Sequence, residues 1–328
     1  MGLPILLDCD PGADDALALY FALAHPDLEL RAVTTTYGRV PLAQATRNAL
    51  LLCALAGRAD LAVCGGVPTP TRKVMGLHDP QSHGSDGLGD LPFTVGEVHG
   101  ADERSAARCI VEQAHADPGR LALVCAGPLG NVAQALRLEP RLPQLLGHLV
   151  VAGGSIAAPG EVSPVAELNF WLDPHAADQV LTAGFRLTLL GLDVSRPSAV
   201  PLALVEELAQ RHPHPALAAL AHAVRVQANA RAAQEGGEPA CASGGLLGLL
   251  HLVQPGLFQT VTGRVRVVTE GLAEGQSIMD RCEQLAYAQP GWESELPRID
   301  AALGVDTAAA LAPIRSVLAS DWLPPRPV

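Results

Sequence analysis

The stretch Ile5-Leu6-Leu7-Asp8-Cys9-Asp10-Pro11-Gly12-Ala13-Asp14-Asp15 constrains this chain more than any other. An apolar run stops at an acidic cluster, turns at Pro-Gly and enters a helical pattern. Asp8 and Asp10 stand two apart and so share one face of a strand. Either Asp14 or Asp15 can serve as an N-cap, and a further carboxylate can favour the helix dipole. Capping does not account for four. Carboxylates this close repel one another, and some pKa values rise unless a cation intervenes. A hard divalent cation with oxygen ligands suits such a cluster, so a metal or catalytic role is expected over a purely structural one.

The rest of the pattern places this cluster in a fold. Apolar runs without alternation lie at Pro4 to Asp10, Leu28 to Thr36, Leu61 to Cys64, Leu121 to Ala126, Leu149 to Gly153 and Leu187 to Leu192. Such runs read as parallel strands covered on both faces. Helical patterns separate them, as at Asp14 to Ala24, Leu42 to Ala56, Ser105 to Ala116, Leu129 to Leu136 and Pro174 to Ala183. The alternation predicts an α/β architecture: an open, mostly parallel central sheet with helices on both faces and a site at the carboxyl ends of the strands. From about residue 200 the chain turns helical, at Leu202 to Arg211 and Pro215 to Ala233, before β-like alternation at Phe258 to Val268. The expected division is one domain over 1–328, with a helical excursion at about 200–253.

Charge and composition exclude several functions. The net charge is −12 and Lys73 is the sole lysine, which argues against nucleic-acid binding and against lysine-dependent chemistry. No apolar run reaches membrane-spanning length, so no membrane role and a cytoplasmic location are expected. The seven cysteines are dispersed and form no Cys-x-x-Cys, which reads as reduced, buried thiols. An Asp-x-Asp at a first strand end also fits aspartate-nucleophile phosphohydrolases, but Pro11-Gly12 follows where a small hydroxylated or apolar residue is wanted.

The cluster Asp8-x-Asp10-Pro-Gly-x-Asp14-Asp15 resembles the signature of the inosine-uridine-preferring nucleoside hydrolases, calcium-dependent enzymes that hydrolyse the N-glycosidic bond of ribonucleosides. The resemblance continues in order through Val33-Thr34-Thr35-Thr36-Tyr37-Gly38, Thr46-Arg47-Asn48-Ala49, the His83 to Gly89 loop and Gly127-Pro128-Leu129-Gly130-Asn131. Gly153-Gly154, Ala166-Glu167-Leu168-Asn169, Gly191-Leu192-Asp193-Val194 and Val268 to Asp280 extend it along nearly the whole chain.

The resemblance implies roles residue by residue. Asp10 would bridge metal and water and act as general base, Asp15 would be a second calcium ligand, and Gly130 would offer a backbone carbonyl. Asp14, Glu167 and Asn169 would bind ribose hydroxyls, and His83 and Glu161 are further candidates for the substrate pocket. The implied substrate is a nucleoside or another riboside, in nucleoside salvage, and the implied assembly is a homodimer or homotetramer.

Three positions depart from the family pattern. Arg39 follows Gly38 and Glu161 follows Gly160 where the family usually has Asn. Counting back from Pro255, Gly244-Gly245 stands where the family has a His-Asp pair, the leaving-group histidine and another calcium ligand. An oxygen site with one carboxylate fewer binds calcium more weakly, and an Arg39 guanidinium near the aspartates would be a substitute for the metal. The alternative is a catalytically silent homologue that binds a ribosyl ligand.

Overall fold

A computed structural model describes residues 2–72, 80–92, 100–282 and 287–324; Lys73 lies outside these. Among the described residues nine strands form one sheet. In chain order the strands are β1 (Leu3–Cys9), β2 (Leu28–Thr35), β3 (Ala62–Gly65), β4 (Ala122–Cys125), β5 (His148–Ala152), β6 (Leu187–Leu190), β7 (Val200–Pro201), β8 (Ala240–Cys241), β9 (Phe258–Val267), β10 (Ser277–Asp280) and β11 (Ile299–Val305). The large sheet runs β10-β9-β11-β6-β5-β4-β1-β2-β3, while β7 and β8 make a separate two-stranded ribbon. The pairs from β3 across to β11 are parallel, and β9 and β10 are antiparallel additions at one edge.

The strand β1 shows why non-alternating runs belong in the interior. Its side chains point alternately into two different cores: Ile5, Leu7 and Cys9 pack with the Ala13–Ala24 helix and its neighbours, whereas Leu6 packs with Ile110, Val132 and others on the opposite layer. Helices close both faces over most of the sheet, so little polar alternation is left; the run expected from Leu28 departs from this, since Leu28-Glu29-Leu30-Arg31 alternates, with Glu29 and Arg31 exposed at the start of β2. The expected doubly covered sheet is therefore present, with strand ends within a few residues of the expected positions.

Two features were not read from sequence. The apolar run Ile299–Val305 forms β11, inserted between β6 and the antiparallel β9. It is followed by the Thr307–Leu318 helix, whose N-cap Asp306 accepts the Ala309 amide. Six cysteines are buried as expected, but Cys282 is exposed. The helical stretch after residue 200 consists of Leu202–Arg211, Pro215–Glu235 and Gly244–Val253. The first turn of the last of these is brought against the Asp15 side of the strand ends, as the glycine contacts below show. Among the described residues no helix is long and apolar enough to cross a membrane.

Candidate active site

The chain turns away from the sheet just beyond β1, and the acidic cluster splits into a scaffold part and a cavity part. Asp8, still within the strand, is fully buried. Its Oδ1 accepts hydrogen bonds from Thr34 Oγ1 at 2.6 Å and Asn131 Nδ2 at 2.7 Å. Burial pushes its carboxyl up to about 6 despite these two donors. It joins β1 to its neighbours and does not line the cavity.

Asp10, Asp14 and Asp15 instead line a cavity of about 100 Å³ at the carboxyl ends of the strands, together with Arg39, His83, Glu161, Glu167 and Asn169. Eight of the nine expected site residues thus converge. The ninth, Gly130, lies apart from them: it opens the Gly130–Leu138 helix, packed against Val67, and is not among the lining residues. The reason is geometric. β4 ends at Cys125, so Ala126 is the residue left at the strand end, while Gly127 to Gly130 carry the chain away into the helix. The backbone carbonyl available at this point is that of Ala126.

Neither Asp14 nor Asp15 caps the helix. Gly12 is the N-cap and supplies no side chain, and Asp15 Oδ2 accepts the Asp10 amide at 3.1 Å. Asp10 Oδ2 in turn accepts the Arg39 amide at 3.1 Å. Backbone hugs this carboxylate from two sides. A Cβ at Gly38 would lie 1.7 Å from Asp10 Oδ2, and one at Gly127 would lie 2.8 Å from Asp10 Oδ1. Only glycine permits either approach.

The electrostatics follow from this crowding. Burial first, and the neighbouring Asp14 next, hold Asp10 well above the usual carboxylate range, while the Arg39 amide and guanidinium pull it down. Asp15 is raised by burial, then by Asp14 and Asp10. The cluster therefore calls for positive charge. Arg39 provides some, and the N-terminus of the Gly244–Val253 helix provides a fractional charge, since Gly245 faces Asp15 Oδ1 at 3.5 Å from an ideal Cβ.

Glu167 and Asn169 approach from the loop after β5. Glu167 is the N-cap of the Leu168–Leu172 helix and accepts the amides of Gly154, Asn169 and Phe170 at 2.8, 2.9 and 3.1 Å. Burial, then Glu161, raise it to about 7 against those three donors. Asn169 Nδ2 is held by the carbonyls of Ala126 and Ala152 at 3.0 and 3.2 Å, the ends of two neighbouring strands. Glu161 Oε1 accepts the Leu168 amide at 3.1 Å, and His83 closes the short Pro80–His83 helix with its side chain buried.

A hard cation needs several oxygen ligands. Among the described residues no three His, Cys, Asp or Glu side chains converge as a metal centre. The donors at hand are the Asp10 and Asp15 carboxyl oxygens beside Ala126, donors of the hard type that such an ion prefers. Gly244 and Gly245, the positions at which the sequence resemblance leads one to expect His-Asp, line the cavity wall. A Cβ at Gly245 would meet Ala126 Cβ at 2.9 Å. The set fits a hard cation, with one carboxylate fewer than the family pattern implies.

Sequence reading missed Gln227, which reaches the cavity from the Pro215–Glu235 helix with its amide oxygen paired to the Cys241 thiol. Nothing in its own helix pattern marks it. It also missed the work of Asp193, whose carboxylate gathers the amides of Ile156, Ala157 and Ala158 and so shapes the loop below Glu161.

Residues 5–312 match the family model described as inosine-uridine preferring nucleoside hydrolase. Uridine nucleosidase 1 of Arabidopsis thaliana is 30% identical over 321 residues, covering 96% of this chain and 92% of that protein. The inosine-uridine preferring nucleoside hydrolase of Crithidia fasciculata is 35% identical over 215 residues, 65% of this chain and 67% of that one. Among solved structures, the plant nucleoside hydrolase PpNRh1 superposes with a TM-score of 0.89 at 28% identity, covering 98% of this chain and 100% of that one. The purine-preferring ribonucleoside hydrolase of Gardnerella vaginalis gives 0.86 at 27% identity, over 96% and 98%. The chain belongs to the inosine-uridine preferring nucleoside hydrolase family.

Proposed function

We propose that this chain hydrolyses the N-glycosidic bond of ribonucleosides, with Asp10 as general base. The observation that carries the reading is the meeting of Asp10, Asp14, Glu167 and Asn169 around one small cavity at the strand ends. Asp14, Glu167 and Asn169 bind the ribose hydroxyls and hold the sugar as its anomeric carbon becomes oxocarbenium-like. Asp10, fixed by the Arg39 amide and two glycine backbones, takes the proton of the attacking water. Glu161 and His83 border the sugar and the leaving group. The uridine nucleosidase that aligns along nearly the whole chain supports a pyrimidine nucleoside among the substrates.

Asp10, Asp15 and the Ala126 carbonyl would hold a hard divalent cation, calcium by resemblance. When bound, that ion lowers the pKa of water and orients it. Arg39 shares its role as countercharge, so the demand for metal is weaker than a third carboxylate would make it. Homo-oligomeric assembly, a cytoplasmic location and a place in nucleoside salvage belong to the same reading.

The test is ribose release from purine and pyrimidine nucleosides, run with added calcium and with chelator. Calcium-stimulated release supports Asp10 and Asp15 as the ion's ligands. Chelator-insensitive release assigns the countercharge to Arg39 alone. Binding of nucleosides without release would mean a silent ribosyl-binding homologue.

A further inference from the structure

The cavity opens outward into a second chamber of about 370 Å³, and the two differ in charge. The inner chamber carries Asp10, Asp14, Asp15, Glu161 and Glu167. The outer one is lined by Arg39, Arg196 and Arg231 against two carboxylates, Glu235 and the shared Glu161, with Gln227 and Gln234 beside them. Arg231 is neutralised by Glu235 at 3.0 Å. Arg196 donates to the carbonyls of Gly160 and Pro159 at 3.1 and 3.3 Å, uncharged partners that leave its full positive charge beside the chamber. Arg39 belongs to both chambers and stands at the neck between them.

If the ribose occupies the acidic inner chamber, the ring attached to it crosses this neck; the inference rests in that respect on the ribohydrolase reading. Two observations then describe how the ring leaves. The wall at Gly244 and Gly245 has no side chain to give a proton, and His83, the one histidine among the described residues lining the two chambers, stands apart from that wall at the end of the short Pro80–His83 helix. None of the described residues lining either chamber is Phe, Tyr or Trp, so the ring is met by guanidinium, amide and carboxylate groups and by the His83 imidazole rather than by a large aromatic face.

We propose that the ring departs as an anion, its charge balanced by Arg39 and Arg196, without protonation at the Gly244 wall. Water forms the bond to the anomeric carbon and gives its proton to Asp10. The carbon–nitrogen bond breaks with its electron pair going to the ring nitrogen, and the ring takes up a proton after it leaves the guanidiniums. Preorganised positive charge is an effective substitute for a general acid where negative charge develops. The substrates that suit it are N-ribosides of rings acidic at the glycosidic nitrogen, oxo-pyrimidines above amino-substituted rings and purines.

The experiment measures kcat/KM for 4-nitrophenyl β-D-ribofuranoside, 5-fluorouridine, uridine and cytidine. The expected result is a steep fall as the leaving group becomes more basic, roughly tenfold or more between 5-fluorouridine and uridine. Arg196→Met should steepen it further. Gly244→His, whose Cβ would touch only Ala152 Cβ at 3.3 Å, should raise uridine turnover relative to the nitrophenyl riboside. Turnover of the nitrophenyl riboside with a flat series would overturn anionic departure alone, because a flat series means a proton is delivered. No turnover of the nitrophenyl riboside, which needs no acid, would overturn the ribohydrolase reading and this inference together. The wild-type series decides the matter even if a variant does not fold.

Discussion

Asn131 Nδ2 lies 2.7 Å from Asp8 Oδ1 although the two residues are 123 positions apart. The same amide group donates to the Thr35 carbonyl at 3.0 Å, and its oxygen accepts the Val67 amide at 2.8 Å. One buried side chain therefore ties β1, the end of β2 and the segment leaving β3 beneath the cavity. Asp8 Oδ2 is buried without a hydrogen-bond partner, so Asp8 depends on the donors at its other oxygen.

Replacing Asn131 removes three hydrogen bonds of a buried side chain at once. Asn131→Leu should destabilise the fold by about 3 kcal/mol, since each buried polar group left unpaired costs about 1–3 kcal/mol. Urea unfolding checks it. A loss below about 0.5 kcal/mol would show that water or a shifted side chain satisfies these groups.

The proposed base is tested by Asp10→Asn, which keeps the shape and can still accept the Arg39 amide. Ribose release should fall on the order of 10³-fold, within the range usual for a positioned general base. Nucleoside affinity, measured by calorimetry, should fall far less. Retained turnover would remove Asp10 from the chemistry.

The metal argument is tested at Gly245. Gly245→Asp alone places its Cβ 2.9 Å from Ala126 Cβ, whereas pairing it with Ala126→Gly removes that contact. The double variant should bind calcium more tightly by direct titration, because it restores an anionic ligand. Unchanged affinity would show that Gly245 does not face the ion's position.

Acid stability turns on a different pair. His148 packs edge-on against His251, and burial, then Arg186, lower His148 to about 4. Its folded pKa is depressed, so the unfolded chain binds more protons below about pH 6.5. The stability that neutral His148 contributes is present above that pH and is lost as pH falls toward 4. His148→Gln should flatten this loss in thermal melts between pH 7 and pH 4.5. An unchanged slope would assign acid sensitivity to other groups.

The sequence pattern carried the sheet well because most of its parallel strands are buried on both faces and read as short, mainly apolar runs, from Leu3–Cys9 to Leu187–Leu190; only the start of β2, with Glu29 and Arg31 exposed, alternates. The charged residues singled out in the sequence, Asp10, Asp14, Asp15, Glu161 and Glu167, do line one cavity where strands end. Backbone roles were not. Ala126 and Gly130 differ in place only by where β4 stops, and boundaries are the weakest element of any sequence reading. Gln227 was invisible because its part in the site comes from the packing of a distant helix. Asp8 counted with the acidic cluster because sequence spacing records which face a side chain leaves from, not how deep it ends.

The closeness of Gly38 and Gly127 to Asp10 has a consequence for how this protein tolerates change. Neither glycine has an atom that reacts, yet a methyl group at either would displace the one carboxylate on which turnover is proposed to rest. A deep mutational scan would rank both beside Asp10 itself. Such a map by itself would count three chemical participants where one is proposed, together with two walls of its mould.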